Sequence, residues 1–304
     1  LKNTGPNSPP GFKSGFIAIA GAPNVGKSTL LNRILGEKIS ITSRKPQTTR
    51  NRILGIRHRT GSQLVFIDTP GVHPARRALN TRIVETAIAA LGDVDLVLMM
   101  IDAANTDAVC ETQLLKQLEK TGRPAMLALN KIDKIKKSRL LETMQTWSER
   151  YPFKALIPIS AKTGEQVDTL IAALEAHLPP GPPFFPEDQL TDLPERFLVA
   201  EMIREKVFRF TGAEIPYSTA VTIESFVESP KKPLVTIHAT IHVERTSQKG
   251  IIIGRQGAKL KQIGTEARRA IENFMNVPVF LQLFVRVDKN WSQDSRMLRR
   301  FGYL

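Results

Sequence analysis

The segment Gly21-Ala22-Pro23-Asn24-Val25-Gly26-Lys27-Ser28 directly follows the apolar run Phe16–Ala20. It fits the spacing G-x-x-x-x-G-K-[ST], in which a strand turns through a glycine loop into a helix around a polyphosphate. Successive backbone N–H groups and the helix N-terminus face the anion, and the glycines let the backbone approach it. Lys27 is then placed to reach the β- and γ-phosphates and Ser28, with Thr29 beside it, to ligate Mg²⁺. Without a phosphate, the same pattern is a glycine-containing turn before a helix. The motifs further along the chain decide between the two.

Residues 16–178 alternate short apolar runs with amphipathic stretches. Strands are expected at Phe16–Ala20, Gln63–Asp68, Asp95–Asp102, Ala125–Asn130 and Leu156–Ser160, with an edge strand near Ile53–His58. Helical periodicity fills the gaps, as at Thr112–Thr121 and Val167–His177. The alternation predicts an α/β fold with a doubly wound, mostly parallel sheet, whose ligands bind beyond the carboxyl ends of the strands.

The further motifs fall at those ends. Asp68-Thr69-Pro70-Gly71 closes one strand. A carboxylate there holds the metal, through water, while the Gly71 N–H senses a γ-phosphate. Asn130-Lys131-Ile132-Asp133 closes another. The Asp133 carboxylate accepts from guanine N1–H and N2–H₂, a donor pair that adenine lacks. Ser160-Ala161-Lys162 follows the last strand and offers the Ala161 N–H to guanine O6. Between the loop and Asp68 lies Gln47-Thr48-Thr49-Arg50, where Thr49, ahead of Thr48, completes the Mg²⁺ shell while γ-phosphate is present. The cations around it, Arg44, Lys45, Arg50 and Arg52, read as solvated. Four ordered elements specify a GTP/GDP site, with Gly21, Asn24, Gly26, Lys27, Ser28, Thr29, Thr49, Asp68, Asn130, Lys131, Asp133, Ser160, Ala161 and Lys162 binding nucleotide. Ser28, Thr49 and Asp68 hold the metal, and Lys27, Thr49 and Gly71 serve the reaction.

Punctuation follows Leu178. The stretch Pro179-Pro180-Gly181-Pro182-Pro183 and the acidic residues from Glu187 to Glu195 read as a semi-rigid linker. The predicted organisation is a disordered tail over 1–14, a nucleotide domain over 15–180, a linker over 181–195 and a second domain over 196–304. In the second domain a helix over Arg196–Phe210 precedes alternating strands at Thr219–Glu228 and Leu234–Val243. A helix over Ala258–Met275 carries Leu260, Ile263, Ala267, Ile271 and Phe274 on one face, and Val279–Val287 alternates again. This is a smaller α+β domain.

Charge separates the two parts of that domain. Formal net charge is +14 overall. Residues 231–304 hold 14 Lys and Arg against 5 Asp and Glu, whereas 196–230 hold 4 against 5. The basic region contains Gly254-Arg255-Gln256-Gly257, a G-x-x-G tetrapeptide between Ile251–Ile253 and the amphipathic helix. Such a loop clamps about four nucleotides of single-stranded backbone in KH domains. Lys249, Arg255, Lys259 and Lys261 neutralise phosphates there, Gly254 and Gly257 let the nucleic-acid backbone approach, and Gln256 joins them in the RNA-binding set. Ile252, Ile253 and Ile263 are read as core packing first, with an apolar groove for bases as the alternative. Cys110 is the lone cysteine, so no intrachain disulfide forms, and a reducing compartment fits.

With these elements in hand, the first domain resembles the Ras-like GTPases of the translation-factor-related branch, and the whole chain resembles the bacterial Era GTPases. The second domain contributes Glu201–Lys206, Gly212–Ser218, Gly250–Gly257 and Asn290–Tyr303 to the likeness, and its element order is similar to type II KH domains. The resemblance implies slow GTP hydrolysis, binding to the 3′ end of small-subunit ribosomal RNA and help in 30S maturation. A monomer in the cytoplasm is expected, and the basic patches suit a peripheral contact with anionic lipid at the inner face of the membrane, although no amphipathic anchor stands out. Val72 stands where Ras-like enzymes orient water with Gln, so another group must position water. His73 is read as a solvated loop residue rather than a base. Asn24 matches an Asn that holds K⁺ in related GTPases, against a simple turn role. The competing reading is an RNA chaperone or scaffold in which nucleotide binding is structural.

Overall fold

The computed structural model describes residues 11–42, 52–68, 92–212, 215 and 219–301. Expectations placed on the tail over 1–10, Gln47–Arg50, Gly71, Val72 and His73 lie outside the described residues. The chain divides into two compact units, residues 1–39 with 49–192 and residues 40–48 with 193–304. No helix among the described residues is long and apolar enough to cross a membrane.

The first unit is built on six strands: β1 (Lys13–Gly21), β2 (Ile53–Arg59), β3 (Ser62–Asp68), β4 (Leu96–Asp102), β5 (Ala125–Asn130) and β6 (Leu156–Pro158). Their order is β2-β3-β1-β4-β5-β6. All pairings are parallel except β2 with β3, which run antiparallel, as expected for an added edge strand. β3, β4 and β5 are buried at every position. Strands covered by helices on both faces need apolar residues on both, which is why these runs do not alternate. The helices are α1 (Lys27–Leu35), α2 (Ala108–Thr121), α3 (Lys137–Arg150) and α4 (Val167–Ala176). The second of these starts four residues before the expected Thr112, because Asp107 caps it by accepting from the Cys110 N–H at 3.1 Å. The last strand is shorter than expected and ends at Pro158.

The proline-rich stretch after Leu178 is tied along this unit. Ser14 N donates to Pro179 O at 3.2 Å and Gly181 N to Phe12 O at 3.0 Å. The buried Gln63 amide accepts from Phe184 N and Phe185 N and donates to Phe185 O at 2.7 Å. Ile56 N closes the series on Leu190 O at 2.8 Å.

The second unit is a three-stranded sheet, β7 (Thr219–Glu228), β8 (Val235–Val243) and β9 (Val279–Val287), in that order. β7 pairs antiparallel and β9 parallel with the central β8. Helices α5 (Glu195–Phe210), α6 (Thr246–Ile253) and α7 (Ala258–Met275) cover one face. Val199, Ile203 and Val207 meet Ile237, Ala239 and Ile241, and Ile263, Ala267 and Ile271 complete the core. On α5 the fully buried Arg204 donates twice to Glu201, both at 2.6 Å, and its guanidinium lies 4.9 Å from the Phe208 ring centroid. A short α8 (Ser295–Arg300), capped by Asp294, ends the chain's described part and seats Trp291, Leu298 and Phe301 inside. The α/β unit followed by a smaller α+β unit is the fold class the sequence predicts.

Candidate nucleotide and RNA sites

The strand ends converge where the strand order reverses around β1. The β1–α1 loop leaves at Gly21 and enters the helix through Gly26, at φ 107. That positive φ belongs to glycine. An added Cβ at Gly26 would lie 2.3 Å from Asn130 Nδ2, so the loop is pressed directly onto the end of β5. Asn130 locks this approach: Nδ2 donates to Val25 O at 2.6 Å, and Oδ1 accepts from Ala161 N at 2.9 Å. One buried amide therefore joins the phosphate loop to both base-reading loops.

Lys131 adds a second tie, donating to Asn24 O at 2.7 Å and to Asp102 Oδ2 at 2.5 Å. Its backbone is left-handed, at φ 68. Asp102 also accepts from Ala104 N at 2.9 Å, so it fixes the turn after β4 while holding the Lys131 ammonium. Asp133 is exposed and accepts from the buried Ser160 hydroxyl at 2.7 Å, which orients its carboxylate. Arg33 on α1 donates to Ala161 O at 3.5 Å and also to Lys162 O, supporting the loop from below. Lys162 itself is exposed. Asp102 and Arg33 are parts that the sequence reading missed. Asp102 was visible as the last residue of a strand, and Arg33 carried no signal beyond its helix.

At the phosphate end, Ser28 Oγ donates to Asp68 Oδ2 at 2.8 Å. A hydroxyl and a buried carboxylate side by side are the hard, sparse oxygen set that Mg²⁺ takes beside phosphates, and they fit it. Lys27 folds onto its own loop, donating to Gly21 O and Ala22 O, each at 3.0 Å. Burial pulls its ammonium down from 10.5 to about 8, opposed by the Asp68 carboxylate. The unfolded chain keeps this proton across that interval. Lys27 therefore weakens folding below about pH 8, and the cost fades as pH rises toward 10.5. A bound phosphate favours the ammonium, so binding above about pH 8 must take up a proton, and affinity must fall as pH rises. Calorimetry of GDP binding at about pH 9 in buffers of different ionisation enthalpy should show this uptake. It should disappear in Lys27→Met; equal proton balance in the two proteins would refute the assignment.

In the second unit, α6 ends at Gly254 (φ 70, ψ −179), a 3₁₀ turn spans Arg255–Gly257, and α7 begins at Ala258. Gln256 and Gly257 have φ of 50 and 78. The tetrapeptide is thus a tight turn between two helices, with Arg255 and Gln256 exposed at its tip. Lys249 and Lys259 are half-buried, and Lys261 is exposed. Ile252 and Ile263 are fully buried core residues, as the preferred reading of them expects, and they line no groove. Ile253 is half-buried, and the exposed apolar side chain beside the turn is Ile251, at 45 %.

A guanine-specific phosphate-loop site on one unit and a helix–GxxG–helix turn on the other define a P-loop GTPase carrying a KH-type domain. Residues 16–131 match the family of 50S ribosome-binding GTPases, and residues 214–292 match the KH domain family. "GTPase Era" of Geobacter metallireducens is 56 % identical over 292 residues, covering 96 % of this chain and 98 % of that protein. The chain belongs to the Era family of GTPases. Two solved structures are similar over 96 % of this chain and 99 % of theirs, each with a TM-score of 0.92 and 39 % identity. One is an Aquifex aeolicus Era variant bound to GDP and AlF₄⁻. The other is Era with MgGDPNP and nucleotides 1506–1542 of 16S ribosomal RNA.

Proposed function

We propose that this protein is a GTP-switched RNA-binding protein that binds the 3′ end of small-subunit ribosomal RNA and assists 30S maturation. The observation that carries the reading is a guanine-nucleotide cradle and a GxxG turn in one chain. That chain matches, over nearly its full length, an Era that was solved with a GTP analogue and 16S RNA. In this reading residues 15–180 handle nucleotide, 196–304 handle RNA, and 181–195 connect them.

Lys27 neutralises the β/γ-phosphate charge, and Gly71 N–H and Thr49 respond to the γ-phosphate. Ser28, Thr49 and Asp68 hold Mg²⁺, which offsets charge on the departing phosphate when bound. GTP is cleaved slowly to GDP and phosphate, because position 72 is Val and contributes no hydrogen bond to water. We assign K⁺ to Asn24, which is exposed on the loop with φ 63. A hydrolysis rate indifferent to exchange of K⁺ for Na⁺ would remove that role. Lys249, Gly254, Arg255, Gln256, Gly257, Lys259 and Lys261 grip the RNA backbone. The protein acts as a monomer in the cytoplasm, and its basic surface supports a peripheral contact with anionic lipid at the inner membrane.

Crosslinking of GTP-loaded protein in cells, with sequencing of the attached RNA, tests the reading. Gly257→Asp is the sharper control, because a Cβ there meets nothing within 4 Å, whereas one at Gly254 would lie 2.8 Å from Lys259 Cβ. Reads should concentrate at the small-subunit RNA 3′ end and be lost in Gly257→Asp. Diffuse reads over many RNAs would replace this function with that of an RNA chaperone.

A further inference from the structure

The face of the second unit's sheet away from the helices carries an unusual set of residues. Strand alternation puts Phe280, Gln282, Phe284 and Arg286 of β9 on this face. Register places Thr236, His238, Thr240 and His242 of β8 opposite them, one by one. Phe280 is 55 % exposed and Phe284 51 %, although both lie in regular strand. Among the described residues, the C-terminal segment covers one end. Phe301 lies 4.4 Å from the His242 ring, Trp291 packs edge-on to Phe301, and His242 Nδ1 is 2.7 Å from Asp288 Oδ2. No described residue covers the end bearing Phe280, Phe284 and Thr236.

We propose that this open end is a stacking platform for single-stranded RNA that continues past the GxxG turn, one base on each phenyl ring. The proposal rests on the reading that the turn binds RNA. Four observations favour nucleic acid over a protein partner. The two rings are separated by the exposed Gln282, and the half-buried Thr236 and His238 lie opposite Phe280 and Gln282, so apolar surface is interrupted by groups that hydrogen-bond base edges. At about 3.3 Å per residue the two Phe Cα atoms are roughly 13 Å apart, room for a separate base on each ring. Charge is complementary as well. Lys231 and Lys232 are exposed in the β7–β8 turn beside Phe280, while Asp288 lies at the other end and Glu224 at the β7 bulge between them. Both carboxylates are already engaged: Thr222 donates to Glu224, and Arg286 and His242 meet Asp288. Continuity completes the case. β9 is an edge strand, and its inner face packs on α6 and α7, the two helices that the GxxG turn joins. An RNA leaving that turn reaches the platform by rounding a single strand.

The test uses the full chain and labelled single-stranded RNA from the 16S 3′ end, in lengths of about four and about twelve nucleotides. Phe280→Ala/Phe284→Ala should weaken the longer RNA at least about fivefold for each stacked base and leave the shorter one unchanged. Phe280→Leu/Phe284→Leu, which keeps apolar bulk without a ring, should weaken it too, whereas the double Tyr variant should bind like the parent. GDP affinity should be the same in all. Unchanged binding of the longer RNA, or equal loss for both lengths, would overturn the platform; so would loss of a ribosomal-protein contact with RNA binding intact. Gly257→Asp should weaken both lengths. Its failure to do so would remove the GxxG reading separately.

Discussion

Asp133→Asn should lower GTP affinity by about three orders of magnitude and raise affinity for xanthosine triphosphate. In the proposed site the carboxylate accepts two hydrogen bonds from guanine N1–H and N2–H₂, and an amide would turn a donor toward one of those donors. Xanthine carries a carbonyl in place of the 2-amino group, so it complements the amide instead. Ser160 donates to Asp133 Oδ1 at 2.7 Å, and the Asn carbonyl oxygen keeps that bond. The variant therefore keeps its loop and changes only what the loop reads. Competition binding with GTP and xanthosine triphosphate measures the exchange. An unchanged preference for GTP would place base recognition elsewhere.

The second large effect belongs to Gly26→Ala. A non-glycine residue at φ 107 costs on the order of 1–3 kcal/mol in backbone strain. The new Cβ would also stand 2.3 Å from Asn130 Nδ2. That amide cannot swing aside freely, because it holds Val25 O and Ala161 N at once. Either the phosphate loop lifts or Asn130 gives up its hydrogen bonds to Val25 O and Ala161 N. GDP affinity should fall at least about a hundredfold, with a lowered melting temperature in the nucleotide-free protein. Near-native affinity would show that the loop and Asn130 are not pressed together. Gly36→Ala is the fitting control: it also has positive φ, at 77, but an added Cβ there meets nothing within 4 Å.

Much of the nucleotide site was legible because its parts are contiguous. Phosphate-loop spacing is local, and Asp68, Asn130 and Ser160 each follow an apolar run whose end fixes their place at the sheet's carboxyl edge. The ties between those parts were not legible. Asp102 and Lys131 meet 29 positions apart, and Arg33 reaches Lys162 across 129. No periodicity encodes such a pairing. Gln63 looked like an ordinary polar position in a strand, yet it is buried and holds Phe184 and Phe185, so a stretch read as a spacer lies along the sheet. In the second unit the helical face of α7 was read correctly as core at Ile263, Ala267 and Ile271. Core was the preferred reading of Ile252 and Ile263, but three identical residues in a row conceal which of them faces inward. The helix turns Ile252 inward and leaves Ile251 exposed.

The central claim is that nucleotide state controls RNA affinity. Its most direct test is the affinity of the full chain for a single-stranded 16S 3′-end RNA, loaded with GDPNP or with GDP at matched salt and Mg²⁺. Tighter binding in the GDPNP state, with the difference lost in Thr49→Ala, is the predicted result. Equal affinities in the two states would contradict a switch and leave two independent binding sites on one chain.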